Sequence, residues 1–77
     1  MRAREELSVL DEQFEVFYET AEEARIRSLV SETPLAHQEW HEASRHLEAM
    51  TRAREAARSL VADLQASQDE LLDKLVG

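Results

Sequence analysis

Two runs of apolar positions recur along the chain at alternating spacings of three and four residues, with a single proline between them. The first run is Ala3, Leu7, Leu10, Phe14, Phe17, Ala21, Ala24 and Ser28. The second starts at Ala36 and Trp40 and continues through Ala43, Leu47, Met50, Arg54, Ala57, Val61, Leu64, Gln68, Leu71 and Leu75. This spacing puts each run on one face of an α-helix and matches the heptad seam of a coiled coil. Between the runs stands Ser31-Glu32-Thr33-Pro34. Thr33 has the side chain of an N-cap, and Pro34 suits the first helical position, where a missing N–H removes no hydrogen bond. A residue before proline avoids the α region, so the upstream helix stops by about residue 30 to 32. The pattern predicts one all-α domain over 1–77, with a helix over about 3–30, a turn at 31–33 and a helix over about 34–76. So short a turn makes the helices antiparallel neighbours, an antiparallel two-helix coiled-coil hairpin.

Register follows from matching large seam residues to fitting neighbours. If opposed residues sum to 64, Phe14 faces Met50, Phe17 faces Leu47, Ala21 faces Ala43 and Ala24 faces Trp40. Phe14, Phe17, Trp40, Leu47 and Met50 are then the expected core. Charge agrees with this pairing. Residues 11–23 carry Asp11, Glu12, Glu15, Glu19, Glu22 and Glu23 and no base, while the opposed segment carries Arg45, Arg52, Arg54 and Arg58 against Glu48 and Glu55. Such exposed pairs contribute less than about 1 kcal/mol each, but they select orientation. Arg54 interrupts the seam and is expected to reach out toward the acids of the first helix. Gln68 is a second polar interruption, a register-setting residue in a dimer or a wet seam position.

The register leaves apolar residues without an intrachain partner. The second helix runs about a dozen residues past the point opposite Ala3, roughly 20 Å at 1.5 Å per residue. That overhang carries Leu64, Leu71, Leu72, Leu75 and Val76. On the first helix Val9 and Val16 lie off the seam, and Ile26, Leu29 and Val30 cluster near the turn. Exposed apolar patches of this size point to a partner. The expectation is a homodimer forming a four-helix bundle or exchanging overhangs, with Leu64, Leu71, Leu72, Leu75, Val76, Val9 and Val16 as the self-association residues. The acids Asp63, Asp69, Glu70 and Asp73 crowd the overhang, with Lys74 the only base, which argues against parallel overhangs in register.

Composition narrows the function. Seventeen acids against nine bases give a net charge of −8, the wrong sign for binding nucleic acid or an anionic membrane surface. No apolar run approaches the roughly 18 residues of a membrane span, and no basic segment precedes an apolar leader core, so a cytoplasmic protein is expected. The chain has no cysteine, which removes thiolate metal ligands and a thiol nucleophile, and its one glycine leaves no phosphate-binding loop.

Candidate chemistry is sparse. His37 and His41 are four residues apart and share a helix face, with Glu39 displaced by one place from the His-Glu-x-x-His arrangement of metalloproteases. In the proposed register Glu23 comes level with His41 as a third ligand, so these three are the weak metal candidates. The simpler reading is a solvated face near the turn, and His46 reads as a flank residue near Tyr18. No histidine follows a glutamate by three residues, as di-iron bundles require. The serines lack a nucleophile elbow. The expectation is therefore no catalytic residue, metal or cofactor: a non-enzymatic, acidic interaction or adaptor module that self-associates and can take a further protein partner.

Two resemblances add alternatives. Glu39-Trp40-His41-Glu42-Ala43 is similar to the Glu-Tyr-His-Ala-Ala run that opens the returning helix of the coiled-coil arm in Gre-type transcript-cleavage factors, and Arg4-Glu5-Glu6-Leu7 also precedes the seam there. That resemblance implies a regulator binding the secondary channel of RNA polymerase. The family's two metal-holding tip acids fall on Thr33 and Ala36, which implies binding without cleavage. Arg4-Glu5-Glu6-Leu7, Leu10-Asp11-Glu12-Gln13-Phe14 and Phe17-Tyr18 resemble the opening helix of AroQ-type chorismate mutases, with Arg4 at a substrate-binding position. The next family arginine falls on Ala21.

Overall fold

The computed structural model describes residues 2–77 and contains two helices, α1 (Arg2–Ser31) and α2 (Pro34–Val76), with no strand among the described residues. Each end of α1 lies one residue beyond the expected 3–30. The turn shows why. Glu32 adopts φ 49°, and its N–H donates to the Ser28 carbonyl at 3.1 Å. This left-handed cap lets Ser31 remain helical and reverses the chain in two residues. Thr33 then caps α2 as expected: it is extended (φ −100°, ψ 153°), and its hydroxyl oxygen accepts from the Ala36 N–H at 3.1 Å. Pro34 follows at the start of the helix.

The helices pack antiparallel into a rod whose Cα atoms extend 65 × 14 × 14 Å. Its length is that of α2 alone, since 43 residues at 1.5 Å give about 65 Å. Four contacts across the helices fix the register: Ser28 with His37, Asp11 with Arg54, Phe17 with His46, and Arg27 with Glu39. Their numbers sum to 63–66, bracketing the expected 64.

Burial follows the expected seam on α1. Ala3, Ala21, Ala24 and Ser28 are buried, and Leu7, Leu10, Phe14 and Phe17 are half-buried. On α2 the buried residue is Ala36, with Ala43, Leu47, Met50, Arg54, Ala57 and Val61 half-buried. Trp40 departs from the expected core and remains 37% exposed. Near the turn the seam is built from Ala21, Ala24, Ser28 and Ala36, which bring the backbones close together. The indole is far larger than these side chains, and Trp40 keeps over a third of its surface in water.

Candidate functional site

Most side chains capable of chemistry lie along the two flanks of the seam, and the flanks differ. Heptad spacing puts Glu6, Gln13, Thr20 and Arg27 in one row beside the α1 seam, and Glu39, His46, Ala53 and Leu60 in one row beside the α2 seam. The Arg27 Nε to Glu39 Oε2 distance of 3.8 Å shows that these rows run side by side. Immediately outside them stand Val9 and Val16 on α1, and Ala49 and Ala56 on α2. All four are exposed, as are Ala53 and Leu60. Shallow grooves on this flank are lined by Arg2, Glu5, Glu6, Val9 and Leu10, and by Glu42, Arg45, His46 and Ala49. The middle of this flank carries Val9, Val16, Ala49, Ala53 and Ala56, with Gln13, Thr20 and His46 among them.

The opposite flank is polar. Its rows are Arg4, Asp11, Tyr18 and Arg25 on α1 and His37, Ser44, Thr51 and Arg58 on α2, with Glu15, Glu22, Glu48 and Glu55 outside them. Arg54 reaches this flank from the seam, as expected. Its Nε–H donates to Asp11 Oδ1 at 2.6 Å, and its guanidinium carbon stands 4.4 Å from the centroid of the Phe14 ring. Charge and ring act together here: the carboxylate pairs with the guanidinium while the aromatic face lies against it. Arg25 pairs with Glu22 of its own helix at 3.1 Å. The hydrogen bond that Arg25 donates to Glu22, then the charge of that carboxylate, raises the Arg25 guanidinium above its already high ordinary value. Arg58 likewise pairs within its helix, with Glu55 at 3.5 Å. Of the expected cross-helix charge pairings, Arg54 with Asp11 is the one formed among the described residues.

His37 and His41 share an exposed face near the turn, as expected, while His37 and His46 each have a neighbour not expected from the sequence. His37 Nδ1 and Ser28 Oγ share a hydrogen bond across the turn. Ser28 is 0% exposed, so this bond satisfies a hydroxyl that water cannot reach. The burial also removes Ser28 as a nucleophile. The register sum could have found this pair, because residue 28 falls opposite residue 36 and the next residue is a histidine. His46 stacks on Phe17, with centroids 6.0 Å apart and planes 5° from parallel, and not on Tyr18, which stacks on Phe14 at 6.3 Å. The expected neighbour differs because His46 and Tyr18 stand on opposite flanks of the seam.

The same distinction separates the weak metal candidates. His37 and His41 line one groove with Trp40 and Ser44 on the polar flank. Glu23 is level with His41 but stands on the opposite flank, in line with Val9 and Val16. Among the described residues, no three of His, Asp and Glu converge in a group that could hold a metal ion. Level along the rod was readable from sequence, but position around each helix decides which groups meet.

The two most exposed of the large apolar side chains, Leu75 and Val76, lie on the overhang. Leu64 is 41% exposed, and Leu71, Leu72, Leu75 and Val76 run from 54% to 89%. On α1, Val9 is 51% and Val16 63% exposed. No helix among the described residues is long and apolar enough to cross a membrane. No family model, curated protein or solved structure matches the chain, so the exposed apolar surface of the hairpin is the ground on which a function can be argued.

Proposed function

We propose that this protein is a non-enzymatic, acidic helical-hairpin interaction module that self-associates into a homodimeric four-helix bundle. The observation that carries this reading is the exposure of Leu64, Leu71, Leu72, Leu75, Val76, Val9 and Val16. Burying one leucine contributes about 1.5–3 kcal/mol. Leu64, Leu71, Leu72 and Leu75 from each of two chains can therefore offset association costs of roughly 4–15 kcal/mol. A chain of net charge −8 favours a protein partner over nucleic acid or an anionic membrane.

The test changes Leu71 and Leu75 to serine and compares sedimentation at micromolar concentration. The parent is expected to run as a dimer and the double variant as a monomer. A parent that is already monomeric, or a variant that keeps the parent's mass, would overturn the reading. A 65 Å rod with a two-residue turn also fits the channel-binding reading that the Gre-like residues suggest. Capture of RNA polymerase by the immobilised hairpin, lost on changing Glu32 and Trp40, would favour that alternative.

A further inference from the structure

Building on self-association, we infer that a second copy of the chain docks face to face on the flank carrying Val9 and Val16, with both turns at the same end of the bundle. On that flank Val9 is level with Ala56, Val16 with Ala49, and Val30 with Leu35, because each pair sums to 65, within the observed register. A two-fold axis running along the rod keeps every residue at its own level and lays α1 of one protomer over α2 of its partner. Val9 then seats on Ala56 of the partner and Val16 on Ala49, each pairing occurring twice. A branched side chain over a methyl is the interdigitation that close helix packing needs. At the turn end Val30, 79% exposed, meets Leu35, 66% exposed. At the other end Arg2 meets Asp63.

The opposite docking, with turns at opposite ends and the axis between Val9 and Val16, fits less well. It keeps α1 over α1 and α2 over α2, sets Leu35 against Glu70, and sets Glu42 against Asp63. The favoured docking has one like-charged pairing, Glu23 over Glu42, with Arg27 and Arg45 one turn away on the same helices. It also runs the two overhangs parallel and diagonal to each other, so that Leu64, Leu71 and Leu75 stand level with their own copies and Gln68 with Gln68. The acids that argued against parallel overhangs, Asp63, Asp69, Glu70 and Asp73, all stand off this row. The two-helix part of the face, about 45 Å long and 14 Å wide, offers on the order of 600 Å² per partner before the overhangs add to it, against about 800 Å² in a standard stable interface.

The chain has no cysteine, so a Ser31→Cys variant carries one spin label, on an exposed residue beside the turn. Pulsed dipolar distances are measured where sedimentation shows a dimer. Turns at the same end put the labels across a bundle of helices 8–10 Å apart, below about 30 Å. Turns at opposite ends put them about 55 Å apart. A dimer with the long distance overturns this docking and leaves self-association standing. A monomer overturns self-association and this docking with it. The variant Glu23→Lys gives an independent sign: facing Glu42 of the partner it should tighten the dimer about threefold. In the opposite docking it would face Arg2 and weaken the dimer, and weakening would overturn the proposal.

Discussion

Beside the turn, Ala21, Ala24, Ser28 and Ala36 are buried although none carries much hydrocarbon; at the far end of α2, Leu71, Leu75 and Val76 carry more and stay in water. The difference is one of partners. Near the turn two helices face each other with small residues between them, so backbones approach and water is excluded. Past about residue 63, α2 has nothing beside it within the chain. Hydrophobicity measures what a side chain would gain by burial, and the position of a second surface decides whether the gain is realised. On the function proposed above, a hairpin with its smallest seam residues buried and its overhang leucines exposed is half of an assembly.

The largest expected effect lies in the paired region. Phe17 is half-buried and stacks on His46, so Phe17→Ala should destabilise the hairpin by about 2–3 kcal/mol in urea unfolding followed by helical circular dichroism. A near-neutral result would mean that the seam is worth no more than the overhang. Next comes Ala24→Leu. At 2% exposure Ala24 has no room for added carbon, and the change should cost about 2 kcal/mol by forcing the helices apart. If the leucine stabilises instead, close approach near the turn is not what excludes water there.

A smaller and more specific effect concerns the pair across the turn. His37→Ala leaves the Ser28 hydroxyl buried and without its partner, at about 1–2 kcal/mol, whereas Ser28→Ala leaves only an exposed histidine that water can satisfy and should cost less. Equal losses would show that the hydroxyl finds a substitute, such as a carbonyl one turn back. The smallest change is a gain. Glu32 holds φ 49° without being glycine, so Glu32→Gly should stabilise the hairpin by about 0.5–1 kcal/mol, read as a raised urea midpoint. No gain would mean that the added freedom of the unfolded chain cancels the relief.

The sequence by itself determined the two helices, their boundary and their register. Those features are local or one-dimensional: Thr33-Pro34 acts on its own backbone, and the three-four spacing needs only the helical repeat. It also located the reach of Arg54, because a cation on a seam facing six acids has little other choice. Tertiary structure decided what depends on angle around the helix and on the distance between axes. It left Trp40 partly in water among small seam residues. It turned Glu23 and His41 to opposite flanks although their numbers match, moved His46 from Tyr18 to Phe17, and paired Ser28 with His37. A seam sequence fixes how far along the rod each residue stands. Only two packed helices fix which rows come together across the seam, and hence which residues remain free to meet another molecule.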